Sequence, residues 1–218
     1  MSVITISREA GSGGTAIAES VAKALGYTLV DKETIGSLLA KYGLIDFGKV
    51  YDDVPAFWDA FDSRKAEERQ TVLAMMNKVI LAFAKRGNVV IVGRGGYVVL
   101  GGYADVLNVR IQASLASRIA NIQGQLKIAD YKQAEKDVRE RDRIRAHFME
   151  SAYSIKVEPV SSFDFVLNAD KVSAGKATAM IVDIAKSLDA SSVGAGKLVS
   201  KAEIDPVLGD AVAEMLGR

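Results

Sequence analysis

Gly11, Ser12, Gly13, Gly14 and Thr15 follow an apolar run over residues 3–6 and precede a helical pattern, an order of residue types suited to binding a phosphate. Glycines let successive backbone N–H groups turn toward one spot, and the amino end of the following helix adds its positive dipole there. The full phosphate-loop pattern is G-x-x-x-x-G-K-[ST], in which lysine reaches the terminal phosphates and the hydroxyl residue meets Mg²⁺. Aligning Gly13 with its second glycine puts Gly14 at the lysine, Thr15 at the metal-binding hydroxyl and Arg8 at the first glycine. The loop has the length to wrap a phosphate but has lost its lysine.

The same glycines satisfy G-x-G-x-x-G/A, and Asp31 stands twenty residues after Gly11, where a dinucleotide fold carries its ribose acid. In that fold the glycine turn follows the strand at once, whereas Ser7, Arg8, Glu9 and Ala10 intervene here. The spacing favours the mononucleotide loop. Asp31 has two readings, as a ligand-edge carboxylate orienting metal-bound water or a sugar, and as the cap of the helix that follows.

Other chemistry is bounded by what the chain contains. There is no cysteine and one histidine, His147, which excludes disulfides, thiolate catalysis and a multi-histidine zinc site. A formal net charge of +1 over 218 residues argues against a dedicated nucleic-acid surface, and no apolar run approaches the ~20 residues needed to span a membrane. The chain opens on a strand pattern without a leader-like region, so the expected location is cytoplasmic. Catalysis must rest on carboxylates, lysines, arginines and backbone. Arg139, Arg141, Arg143 and Arg145 form the densest cationic run. At helical spacing Arg141 and Arg145 share one face and Arg139 and Arg143 another, so one pair can meet a ligand while the other meets solvent; pairing of Glu140 with Arg143 on a solvated face is the competing reading.

The elements that position these residues alternate strand and helix. Apolar runs at 3–6, 27–30, 88–92, 106–111 and 163–167 read as strands, and helical periods at 15–25, 33–42, 67–85, 132–153 and 173–188, with one after the fourth strand bearing Arg118, read as helices. The nearly all-apolar 88–92 suits a central parallel strand and ends in Gly93, Arg94, Gly95 and Gly96. This order predicts a three-layer α/β domain on a parallel five-stranded sheet. Residues 43–64 gather aspartates and aromatics around Pro55, as a substrate lid or a hairpin tucked on the core would. Beyond residue 188 a linker leads to an amphipathic helix at 204–216, which either docks on its own domain or makes a homodimer contact.

Ile4 to Gly14, Gly26-Tyr27, Asp31-Lys32-Glu33, Val90 to Gly95, Arg118, Asp142 to Phe148 and Phe163 to Asn168 together resemble the cytidylate-kinase-like family, relatives of the nucleoside monophosphate kinases, over about residues 3–187. The resemblance implies a P-loop kinase core at 1–188, an acceptor-binding region at about 32–70, an arginine-bearing lid at about 130–158, and 189–218 as linker and terminal helix. It implies that Gly11, Ser12, Gly13, Gly14 and Thr15 hold the donor phosphates and that Thr15 meets Mg²⁺. By the same likeness Arg94 contacts the acceptor phosphate and Arg118, Arg141 and Arg145 close on the phosphoryl group, so that Arg94, Arg118 and, from its place at the strand edge, Asp31 are the expected substrate-binding residues. Arg8 or a lid arginine replaces the missing lysine, unless Arg8 pairs with Glu9 at the surface. Gly95 stands where the family's Gly-Arg-Asp turn has its aspartate, a departure at the cytidine-reading position. The reaction so implied moves the γ-phosphate of ATP to a small acceptor, foremost a nucleoside monophosphate such as CMP. A binding module without turnover and an NAD-dependent oxidoreductase are the alternatives.

Overall fold

The computed structural model describes residues 2–43, 63–190 and 196–217. Strands β1 (Val3–Arg8), β2 (Thr28–Val30), β3 (Val89–Val92), β4 (Val106–Gln112) and β5 (Phe165–Asn168) form one sheet in the order β2-β3-β1-β4-β5, and every neighbouring pair is parallel. Eight helices of the described residues pack around it: α1 (Gly14–Leu25), α2 (Lys32–Lys41), α3 (Ser63–Arg86), α4 (Gly96–Leu100), α5 (Leu115–Leu126), α6 (Tyr131–Tyr153), α7 (Ala174–Ala190) and α8 (Pro206–Leu216). This is the expected three-layer α/β fold. In the dinucleotide fold β1 lies beside β2, but here β3 is inserted between them, which removes the architecture on which the oxidoreductase alternative depends.

Alternation along the strands decides which layer each side chain meets. Ile4, Ile6, Val90 and Val92 join residues of α1 and α7 on one face, and Val3, Val89 and Ile91 join residues of α2, α3, α4 and the end of α6 on the other. On the second face the row that begins at Val3 turns polar toward the carboxyl end of β1. Thr5 and Ser7 of β1 lie in register with Asn108 and Arg110 of β4, and the buried Thr5 Oγ1 donates to Asn108 Oδ1 at 2.7 Å. The Asn108 backbone N–H donates to Asp164 Oδ2 at 2.8 Å. Partnered in this way, polar groups can line the sheet up to its carboxyl edge, where ligands of open parallel sheets bind.

Several boundaries differ from the periodic reading. The third helix begins at Ser63, β5 begins at Phe165, and α4 was not anticipated because five residues are too few to register a helical period. Phe163 is left out of β5 and packs on Tyr97, with ring centroids 4.6 Å apart. The aspartate- and aromatic-rich segment lies, over 44–62, outside the described residues.

The terminal helix docks on its own domain. Leu208 and Val212 are buried in the cluster that includes Val79, Ile80 and Phe83 of α3. Arg86 Nη2 donates to the Gly209 carbonyl at 2.9 Å, and the Val199 N–H donates to Asp105 Oδ1 at 2.7 Å, fastening both ends of the tail. Leu208→Ala is expected to destabilise the protein by about 2–5 kcal/mol, the usual cost of emptying a buried leucine site. A urea titration with an unmoved midpoint would show that the tail is detached in solution.

Candidate active site

The loop after β1 is built by two left-handed glycines, Gly11 (φ 75°) and Gly13 (φ 78°), the second capping α1. Ser12 is buried and closes the loop on itself, its Oγ donating to the Glu9 carbonyl at 3.0 Å and its N–H to the same oxygen at 3.3 Å. The Arg8 side chain crosses this loop from the end of β1. A Cβ on Gly14 would fall 2.6 Å from Arg8 Cβ, and one on Gly93 would collide with the Arg8 guanidinium. Arg8 Nε donates to Thr15 Oγ1 at 3.4 Å.

Beside the loop, the carboxyl ends of β1, β3 and β4 and the inner face of α6 enclose an open cleft of about 600 Å³. Arg8, Thr15, Arg94, Arg141 and Arg145 line it; Gly11, Ser12, Gly13, Gly14, Asp31 and Arg118 are not among its lining residues. Cations outnumber carboxylates there, with Lys32, Arg110 and Lys156 joining the four arginines against Glu9, Asp142 and Glu158. Burial, then the positive charges of Arg145 and Arg94, lower the pKa of Arg8 to about 10. Burial also lowers Arg145, where the pull of Asp142 is opposed by Arg141, Arg94 and Arg110. Arg145 Nη1 is buried without a hydrogen-bond partner, its ion pair with Asp142 being 3.5 Å long. Such crowding of desolvated like charges suits a site that awaits an anion.

The two faces of α6 separate as the helical spacing predicts. Arg139 and Arg143 are 63% and 65% exposed and pair with Glu135 and Glu140, away from the cleft. Arg141 reaches the cleft while its Nε donates to Asp137 Oδ2 at 3.1 Å.

Arg118 and Asp31 are placed differently from the arginines of the cleft. Arg118 is bound to Asp142, lies 3.6 Å from Glu9 and points Nη1 at the Ala10 carbonyl at 3.4 Å. Asp142 in turn accepts from the Ala10 N–H at 2.9 Å, and Glu9 from the Ala113 N–H at 3.0 Å. Arg118 thus ties the loop to α5 and α6. Asp31 caps α2, Oδ1 accepting from the Thr34 N–H and hydroxyl at 2.9 Å each. Burial pushes its carboxyl up, but those hydrogen bonds outweigh it and hold the group below its ordinary value.

Arg110, Glu158, Tyr97 and Tyr153 were not singled out from the sequence. Arg110 pairs with Glu158 and donates to Ser7 Oγ at 2.9 Å. The buried Tyr97 hydroxyl faces the cleft without a partner. A guanidinium set two residues after Asn108 inside an apolar strand was the one available signal for Arg110.

Among the described residues no group of three or more His, Asp or Glu could hold a metal. The Thr15 hydroxyl, lining the cleft beside Arg8, fits the sparse protein ligation typical of Mg²⁺ on phosphates, in which the nucleotide and water supply the other ligands.

Residues 3–171 match the cytidylate kinase-like family. The chain belongs to that family. A cytidylate kinase of Pyrobaculum islandicum is 30% identical over 185 residues, covering 84% of this chain and 92% of the relative. Another, of Pyrobaculum calidifontis, is 30% identical over 179 residues, covering 79% and 86%. The crystal structure of an uncharacterized protein from Eubacterium ventriosum shares the fold with a TM-score of 0.66 at 21% identity, over 86% of this chain and 99% of that one. The tail after residue 171 lies beyond the family match, and among the described residues no helix is long and apolar enough to cross a membrane.

The capping carboxylate gives a pH test. Because Asp31 is held below its ordinary value, its contribution to stability is complete above the unfolded value near 3.9 and is lost as pH falls through the folded one. Asp31→Ala should cost about 1 kcal/mol at neutral pH. Asp31→Asn keeps a capping acceptor and should show a smaller loss of melting temperature as pH falls from neutral to below the ordinary carboxylate value.

Proposed function

We propose that this cleft transfers the γ-phosphate of ATP to a small phosphate-bearing acceptor, foremost a nucleoside monophosphate such as CMP. The observation that carries the reading is the cluster of Arg8, Arg94 and Arg145, all lining one cleft beside the amino end of α1, in which the charge of Arg94 depresses both others and that of Arg145 depresses Arg8. Membership of the cytidylate kinase-like family and the relatives named cytidylate kinase support the choice of reaction and acceptor.

In this reading the backbone of Gly11, Ser12, Gly13 and Gly14 holds the donor phosphates, with the α1 dipole behind them. The Thr15 hydroxyl would hold Mg²⁺, which would supply positive charge to the phosphate oxygens. Phosphoryl transfer asks the protein for alignment and positive charge and for no covalent step. Arg8 supplies the cation that the loop lysine would have given. Arg94 binds the acceptor phosphate, and Arg141 and Arg145 approach the equatorial oxygens from α6; guanidinium forks suit both tasks because they stay charged and donate two parallel hydrogen bonds. Arg118 acts through Asp142, which it fixes against Ala10, and Asp31 acts through its charge on Arg8.

A nucleotide-binding module without turnover is the second reading, favoured by Gly14 standing at the lysine position. Incubation with ATP, Mg²⁺ and a panel of nucleoside monophosphates, with chromatography of all nucleotides, separates the two. Diphosphate formed from one acceptor and lost in Arg94→Ala supports the kinase and names its substrate; ATP bound without product from any acceptor supports the module. For an active enzyme, Arg8→Ala should lower kcat by roughly 10³-fold, the lower end of what an arginine on a transferring phosphoryl group contributes. The same substitution removes a desolvated charge from a like-charged cluster, so the ligand-free protein should melt higher. A variant with kcat within threefold of wild type would remove Arg8 from the catalytic set.

A further inference from the structure

We infer that Tyr153 is a positioning residue for Arg94: its hydroxyl, carried at the far end of α6, holds the Gly93–Gly95 turn in the course that presents Arg94 to the cleft. The inference rests on reading that cleft as an anion site. Three successive residues of the turn, Gly93 (φ 72°), Arg94 (φ 55°) and Gly95 (φ 68°), are left-handed. For Arg94 this is a conformation that L side chains avoid, because Cβ approaches the carbonyl oxygen, and it persists only where the surroundings fix it. The backbone fixes part of it, with the Gly96 N–H donating to the Gly93 carbonyl at 3.0 Å and the Val98 and Val99 N–H groups donating to the Gly95 carbonyl. The Arg94 carbonyl is met from another element. Tyr153 Oη has one proton to share between two acceptors, Asn77 Oδ1 of α3 at 2.8 Å and the Arg94 carbonyl at 3.3 Å, so the hydroxyl stands between α3 and the turn.

The ring is seated as closely as the hydroxyl. A Cβ on Gly95 would collide with Tyr153 Cε2 and come within 2.7 Å of Cζ, so only glycine at 95 lets the ring lie on the turn. Burial, then the neighbouring Tyr97, raises the Tyr153 phenol well above its ordinary value, which keeps its proton in place. Tyr153 is the last residue of the helix that also carries Arg141, Asp142 and Arg145. One element thereby bears on the glycine loop through Asp142 and on the Arg94 turn through Tyr153, about 16 Å further along at 1.5 Å per residue. The placement of Arg94 is set from α6 as well as from its own turn.

The test is binding of inorganic phosphate by calorimetry to wild type, Tyr153→Phe, Arg94→Ala and the double variant, with melting temperatures alongside. Tyr153→Phe keeps the ring and should weaken phosphate binding by about three- to 10-fold, the order of one neutral hydrogen bond. Arg94→Ala should weaken it at least as much, and adding Tyr153→Phe to it should change nothing further. Gly95→Ala, which pushes the ring from the turn, should reproduce the loss of affinity by an independent route. Phosphate affinity unmoved in Tyr153→Phe, with or without a drop in melting temperature, would reduce the residue to a packing role and overturn the inference. So would losses that multiply in the double variant, or a wild type that binds no phosphate. Absence of phosphoryl transfer to every acceptor would count against the kinase reading and leave this binding result standing.

Discussion

The architecture turns on a repulsion. Arg8, Arg94 and Arg145 are held at the carboxyl edge of the sheet with less carboxylate than guanidinium around them, and water that would screen them is partly excluded. Asp142 lies 3.5 Å from Arg145, but the carboxylates that line the cleft make most of their contacts elsewhere: Asp142 with Arg118 and the Ala10 N–H, Glu158 with Arg110, Glu9 with the Ala113 N–H. Each of these engagements also fastens one element to another, the loop to α6, the segment after α6 to β4, the loop to the end of β4. Among the described residues, the framework therefore commits most of the cleft's carboxylate to these joints. Clustered like charge costs stability, and the packed layers on both sheet faces offset it.

Strand alternation makes this arrangement possible. Had Thr5, Ser7, Asn108 and Arg110 been apolar, the face of β1 and β4 toward α4 and α6 would close into ordinary core, as the opposite face does around Ile4, Ile6 and Val109. The Thr5–Asn108 and Arg110–Ser7 hydrogen bonds pair those groups with one another, so the polar row carries little desolvation penalty while keeping a wettable wall below α6.

Features that repeat locally were legible in the sequence. The five apolar runs give the strands, the glycine loop gives the turn into α1, and the helical spacing of Arg139, Arg141, Arg143 and Arg145 separates the cleft-facing pair from the solvent-facing pair. What was illegible depends on partners distant along the chain. Arg118 looks like any helical arginine until Asp142 and Ala10 are brought to it. Glu158 lies in an irregular stretch with no period to place it opposite Arg110. Gly95 reads from sequence as a lost aspartate, whereas in the fold it is the surface on which the Tyr153 ring lies. For Asp31 the sequence offers both ligand and cap; the fold shows the capping hydrogen bonds to Thr34, with a charge that still reaches Arg8.

The same reasoning changes the meaning of the missing lysine. Relative to the common phosphate loop, two positions differ at once: Arg8 where the first glycine stands and Gly14 where the lysine stands. These are one structural change. The Arg8 stem passes so near Gly14 Cα that any side chain at 14 would begin 2.6 Å from Arg8 Cβ, so a lysine there and an arginine at 8 exclude each other along this course. Gly93, at the end of the neighbouring strand, is likewise shaped by the Arg8 guanidinium. A cation has moved from the end of the loop to its beginning, and two glycines mark the path it takes. Its head ends beside Thr15, which stands at the position whose hydroxyl meets the metal in the common loop. On the proposed reading, what differs from the common loop is the direction from which positive charge arrives, along β1 instead of from the first turn of α1, while the requirement for that charge at the phosphates is the same.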